Sequence, residues 1–140
     1  MSEVEVTYVG SKHCTALNTK NGKSVAVDCP SAGGDEFGPG AMVGAGLGSC
    51  MLISMASFAE RHGLDVSGAR ADVHVSFGGK PDAHISAIDV AVRVPKAFAA
   101  DEQASLEKAA AACPIKHSFR PDTAISASFE FDDASIEAAD

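Results

Sequence analysis

Two cysteines, Cys50 and Cys113, sit where thiol chemistry is favoured. Cys113 opens the segment C-P-I-K-H-S-F-R directly after an alanine-rich helical stretch, with Lys116, His117 and Arg120 just behind it. A thiol at a helix start among cations is biased toward thiolate, the form that attacks electrophiles. Cys50 lies in the uncharged helical run from Ala41 to Ala59. Two such residues far apart in sequence suggest an attacking and a resolving thiol that meet in the fold. The competing reading is that free Cys is a small apolar filler of cores. Cys14 reads as a strand residue and Cys29 as a loop residue before Pro30, neither with a role.

Other chemistries fit less well. Zinc needs closely spaced ligands, and the chain has no C-x-x-C and no paired histidines at helical spacing. No metal is therefore expected. G-A-G-L-G falls inside a helix, whereas a dinucleotide site needs its glycines in the turn between strand and helix. Gly44, Gly46 and Gly48 read instead as close-packing positions across a dimer. His62 is a helix-end residue, and His74 and His84 are exposed strand and turn residues. His117 follows Cys113 by one helical turn and is a candidate supporting group beside a solvated alternative. Asp101, Glu102 and Glu107 are helix-start and surface charges.

These residues need elements to hold them. Val4, Val6 and Tyr8 alternate as a strand. Asn21-Gly22 between two strand-like runs predicts a hairpin with a type I′ turn. A Gly- and Pro-rich loop leads into a helix over about residues 40–62, which Gly63 caps. Ala71, Val73, Val75 and Phe77 form one strand face, and Ile88, Val90, Val92 and Val94 another, stopped by Pro95. A second helix starts near Asp101 as N-cap and carries Leu106, Ala109, Ala110 and Cys113 on one face. Pro114 opens a short helix. Ile125, Ala127, Phe129 and Phe131 give the last strand, followed by a mobile acidic tail. The order β-β-β-α-β-β-α-α-β predicts an α+β fold with an antiparallel sheet and a long central helix. That helix lacks a polar face, so a second subunit is expected to cover its far side.

The 140 residues predict one domain, 1–140, with enough chain to bury a core. The formal net charge of −8 and the absence of a basic stripe argue against nucleic acid or an anionic membrane as partner. Ala41–Ala59 is long enough to span a bilayer, but its glycines, its serines and its flanking Asp35, Glu36 and Glu60 fit a buried core helix better. No membrane partner is expected. An acidic, strand-like start and sparse cysteines point to the cytoplasm, where thiols stay reduced.

The segment P-G-A-M-V-G-A-G-L-G-S-C-M-L-I-S-M-A, followed by A-A-A-A-C-P-I-K-H-S-F, resembles the two cysteine signatures of the OsmC/Ohr family over essentially the whole chain. The resemblance implies an intertwined homodimer with active sites at the subunit interface. It also implies thiol-dependent reduction of hydroperoxides without metal or organic cofactor. Cys50 takes the place of the peroxidatic cysteine and Cys113 that of the resolving one. An external dithiol would reduce the resulting disulfide.

The chain departs from active members. Gly40, Ala41 and Met42 follow Pro39 where a glutamate is expected, and the region Y-V-G-S-K-H-C offers Lys12 and His13 but no arginine. Lys12 lacks the arginine fork. This resembles the less characterised branch of the family and predicts slow peroxide consumption. It also predicts that Cys113 ionises and alkylates faster than Cys50, since burial alone raises a thiol pKa. A non-catalytic dimer binding a small apolar ligand around Cys50 is the alternative function.

Overall fold

The structure, a computed structural model, describes residues 3–80 and 82–133. The acidic tail beyond residue 133 and the Pro81 part of the K-P-D-A turn lie outside the described residues. The backbone divides into two compact units, Met1–Val43 and Gly44–Asp140.

The first unit is an antiparallel meander of β1 (Val4–Gly10), β2 (His13–Asn18) and β3 (Ser24–Asp28). The β2–β3 hairpin forms where Asn21-Gly22 signalled it, but the turn is longer than the two-residue type I′ expected. The Gly22 N–H donates to the Asn18 carbonyl at 2.9 Å, and Gly22, not Asn21, takes the left-handed conformation. Past β3, the buried Asp28 carboxylate gathers the loop by accepting the N–H groups of Asp35 and Glu36, each at 3.2 Å. A 3-10 turn, Pro30–Ala32, lies between. Val4, Val6 and Tyr8, on one face of β1, are each more than half exposed.

α1 (Pro39–Arg61) begins in the first unit and continues into the second. Its length and composition would let it cross a membrane. In the fold it lays one stripe on a sheet: Leu47, Met51, Met55 and Ala59 are essentially fully buried. Truncating either methionine to Ala is expected to cost about 2–5 kcal/mol. The helix ends as the cap signal predicted. Gly63 turns left-handed at φ 68°, and the Leu64 N–H reaches back to the Ala59 carbonyl at 2.8 Å. The stripe opposite, including Val43 and Ile53, is exposed.

That sheet comprises β4 (Arg70–Gly78), β5 (His84–Ala97) and β6 (Ala124–Asp132), with β5 central. Ile88, Val90, Val92 and Val94 of β5 form the floor of the core. Gly44 and Gly48 serve this packing. A Cβ on either would lie 3.0 Å from a Val75 or Val73 methyl, while one on Gly46 would meet nothing within 4 Å. The expectation that all three glycines serve a dimer is therefore corrected for Gly44 and Gly48.

The all-antiparallel expectation also needs correction: β4 runs antiparallel to β5, but β6 runs parallel to it. Parallel neighbours need a crossover, and α2 (Ala100–Ala111) supplies it. Pro95 does not stop β5. It lies beyond the β4 pairing and inside an irregularity opposite β6, where no ladder bond needs its missing N–H. The register slips between Ser76 and Phe77, leaving Ser86 of β5 as the extra residue, and Phe77 at this end of the sheet is 61% exposed rather than buried in the core. The N-cap of α2 is Ala99, not Asp101. The Ala99 N–H donates to the Glu102 carboxylate at 2.9 Å, and Asp101 sits in the first turn. Leu106, Ala110 and Cys113 are buried as their spacing predicted.

Candidate active site

α1 and the segment after α2 bring Cys50 and Cys113 together. Both thiols are free, and they are close enough for each to shift the other's acidity. Cys50 is partly exposed on α1, while Cys113 has no exposed surface. Cys113 follows the α2 C-cap Ala112 and precedes a 3-10 turn, Lys116–Ser118.

The two thiols differ in acidity, in the order opposite to that expected from sequence. The Cys50 pKa is lowered, first by the hydrogen bond from the Cys113 thiol, then by the Ile115 backbone N–H and the Ser54 hydroxyl, against the opposing effect of burial. The Cys113 pKa is raised, first by burial and then because its proton is held by Cys50. The Lys116 N–H, 3.4 Å from the Cys113 sulfur, offsets this only in part. The cationic side chains behind Cys113 do not reverse the order. His117 is exposed, and the Arg120 guanidinium is paired with Asp122 at 2.9 Å. The α2 end next to Cys113 is a C-terminus, whose partial negative charge disfavours thiolate. Of the two, Cys50 is thus the thiol that ionises more readily.

Sequence reasoning missed Ser54 and the Ile115 N–H. Ser54 had a signal, lying one helical turn beyond Cys50. The Ile115 amide had none, since only the chain path after α2 aims it. Lys12 and His13, considered as supporting groups, lie at the β1–β2 turn of the first unit. His13 is hydrogen-bonded to the Asp28 carboxylate, and Lys12 places its charge near Cys29. The Cys29 pKa is also lowered, first by the Ser31 hydroxyl 3.1 Å away. His117 makes no hydrogen bond to either site thiol among the described residues. No group of three or more His, Cys, Asp or Glu side chains is placed to hold a metal ion among the described residues.

A groove of about 610 Å³ lies between α1 and α2 beside the thiols. Ile53, Ser54, Ser57, Phe58 and Arg61 form one wall, and Ser105, Lys108, Ala109 and Ala112 the other.

Two neighbouring thiols of unequal acidity, one on a long helix over a mixed sheet and one just past α2, define a candidate dithiol redox centre. Residues 32–128 match the OsmC-like protein family, and the chain belongs to that family. No curated protein matches it in sequence. Solved structures share its fold. A Psychrobacter arcticus 273-4 protein, provisionally described as an osmotic stress induced and detoxification response protein, is 23% identical with a TM-score of 0.87, over 93% of this chain and 96% of that one. An OsmC-like protein from Mycoplasma pneumoniae is 15% identical with a TM-score of 0.82, over 95% and 98%. The organic hydroperoxide resistance protein OhrB of Bacillus subtilis is 16% identical with a TM-score of 0.70, over 91% and 97%.

Proposed function

We propose that the chain is a cysteine-dependent peroxidase that reduces organic or small hydroperoxides through Cys50 and Cys113. The observation that carries this reading is the pairing of the half-buried Cys50 with the buried Cys113, neighbours whose pKa values are shifted in opposite directions. The Cys50 thiolate attacks one peroxide oxygen, the O–O bond breaks, and the alcohol leaves with a proton. Cys50 becomes a sulfenic acid. Cys113 then displaces its hydroxyl as water, forming the Cys50–Cys113 disulfide. An external dithiol returns both thiols and is itself oxidised. The glutamate absent after Pro39 is replaced by three donors of this chain's own: Cys113, Ile115 N–H and Ser54.

The protein works in this reading as a cytoplasmic homodimer, without metal, organic cofactor, nucleic acid or membrane. The exposed Val43 and Ile53 of α1 and the exposed Val4, Val6 and Tyr8 of β1 support a covering partner. A sedimentation run giving a monomer at micromolar concentration removes the dimer from it. The second reading, a non-catalytic dimer that binds an apolar ligand, draws on the groove beside Cys50.

Cumene hydroperoxide with a dithiol separates the two. Multiple turnovers, and an intramolecular Cys50–Cys113 bond by mass spectrometry after one equivalent of peroxide, are expected of the peroxidase. Intact thiols after that equivalent, with no peroxide consumed, would leave only the binding reading.

A further inference from the structure

The segment after Cys113 folds into a closed turn whose backbone donors serve the thiols. Pro114 has no N–H, so Ile115 and Lys116 carry the first two donors past Cys113. The Lys116 N–H donates to the Cys113 Sγ at 3.4 Å. The Ile115 N–H favours the charged form of both Cys50 and Cys113. Two bonds hold the turn shut. The Ser118 N–H donates to the Ile115 carbonyl at 3.1 Å, and the Ser118 hydroxyl donates to the Pro114 carbonyl at 2.9 Å. Ser118 is exposed, so its side chain has little packing to contribute beyond that bond.

The second half of the peroxide reaction needs such a turn. Cys113 must attack as a thiolate, yet it is fully buried. The cations near it in sequence do not supply the missing charge: His117 is exposed, and Arg120 is paired with Asp122. The C-terminus of α2 opposes ionisation. Among the described residues, the groups that favour the charged form of Cys113 are the Lys116 and Ile115 N–H groups.

We propose that Ser118 is a positioning residue for the resolving step: by anchoring the Pro114 carbonyl, its hydroxyl keeps the Lys116 and Ile115 N–H groups aimed at the Cys113 sulfur while that sulfur attacks. The Cys113 thiol gives up its proton and its sulfur bonds to the Cys50 sulfur. The S–O bond of the Cys50 sulfenic acid breaks, and the hydroxyl leaves with the proton as water. The inference rests on the peroxidase reading for this step, whereas the hold of the turn on Cys113 acts with or without peroxide. Ser118 works only through the turn, so its removal costs a fraction of the rate and not all of it.

The test has two arms. Cys14→Ser, Cys29→Ser and Cys50→Ser leave Cys113 as the one thiol of the chain, and its ultraviolet thiolate absorbance is followed against pH with circular dichroism as the folding control. Adding Ser118→Ala should raise the midpoint, and Ser118→Thr, which keeps the hydroxyl, should leave it in place. In the chain with all its cysteines, one equivalent of cumene hydroperoxide followed by acid quench and mass spectrometry separates sulfenic acid from disulfide. Ser118→Ala should slow the passage from one to the other about fivefold at neutral pH, the effect of one neutral hydrogen bond, with Ser118→Thr close to native. A midpoint unmoved by Ser118→Ala, or a disulfide step as fast as the native one, overturns the proposal and leaves the peroxidase reading intact. A raised midpoint in a protein that consumes no peroxide sustains the hold of the turn on Cys113 and removes the peroxidase reading. An unmoved midpoint with no peroxide consumed removes both.

Discussion

The buried Cys113 thiol neighbours the half-buried Cys50 and lowers its pKa, while its own is raised. The relation has a direct kinetic signature. Replacing Cys113 by Ala removes the first cause of the lowered Cys50 pKa, and the group should titrate higher. For a thiol the reactive form lies above the pKa, so the midpoint of the pH–rate profile for single-turnover oxidation should move up and the neutral-pH rate should fall. A profile unchanged by Cys113→Ala would show that Cys113 does not set the nucleophile's acidity.

Ser54→Ala removes a lesser donor at the same sulfur. A neutral hydrogen bond contributes about 1 kcal/mol, so the expected loss in neutral-pH oxidation rate is about fivefold, with the fold retained. Stopped-flow peroxide oxidation with a circular dichroism control measures both.

Native-state alkylation should label Cys50 well before Cys113, because Cys50 has the lowered pKa and surface exposure while Cys113 has neither. Cys29, also lowered in pKa, should react too and needs replacement by Ser before the comparison. Peptide mass spectrometry over a time course gives the order. Faster labelling of Cys113 would contradict the burial described for it.

The glycines of α1 should separate by melting temperature. Gly44→Ala should lower it, since the new methyl would lie 3.0 and 3.2 Å from two stiff valine side chains. Gly46→Ala meets nothing within 4 Å and gains about 1 kcal/mol of helix propensity. If Gly46→Ala destabilises as much as Gly44→Ala, a second chain covers that side of α1.

Asp28 should make the protein acid-sensitive. Its folded pKa lies below 3.8, chiefly through its hydrogen bond with His13. A depressed carboxylate adds stability above its unfolded pKa and loses it as pH falls through the folded value. The loss should therefore fall below about pH 4, and Asp28→Asn should flatten it. Denaturant midpoints across that range report the slope.

Much of this was readable from residues. The α1 limits, the Gly63 cap and the buried face Leu106–Ala110–Cys113 all follow from hydropathy spacing and a single glycine, which are local signals. The acidity order of the thiols was not readable. It depends on which sulfur is buried and on a backbone N–H at Ile115 that a three-dimensional chain path must aim. Strand direction was missed for a similar reason. Nothing in Ile125–Phe131 distinguishes a parallel from an antiparallel neighbour, whereas the helix before it does. The register slip at Ser86, opposite Phe77, likewise carries no local sequence mark.

The parallel pairing of β6 with the central strand fixes the segment of Cys113 at both ends. That segment runs from α2 to β6, and β6 is hydrogen-bonded along β5. Fraying of β6 would therefore loosen the seat of the buried thiol, whereas Cys50 rides on a helix held by its own apolar stripe against the sheet.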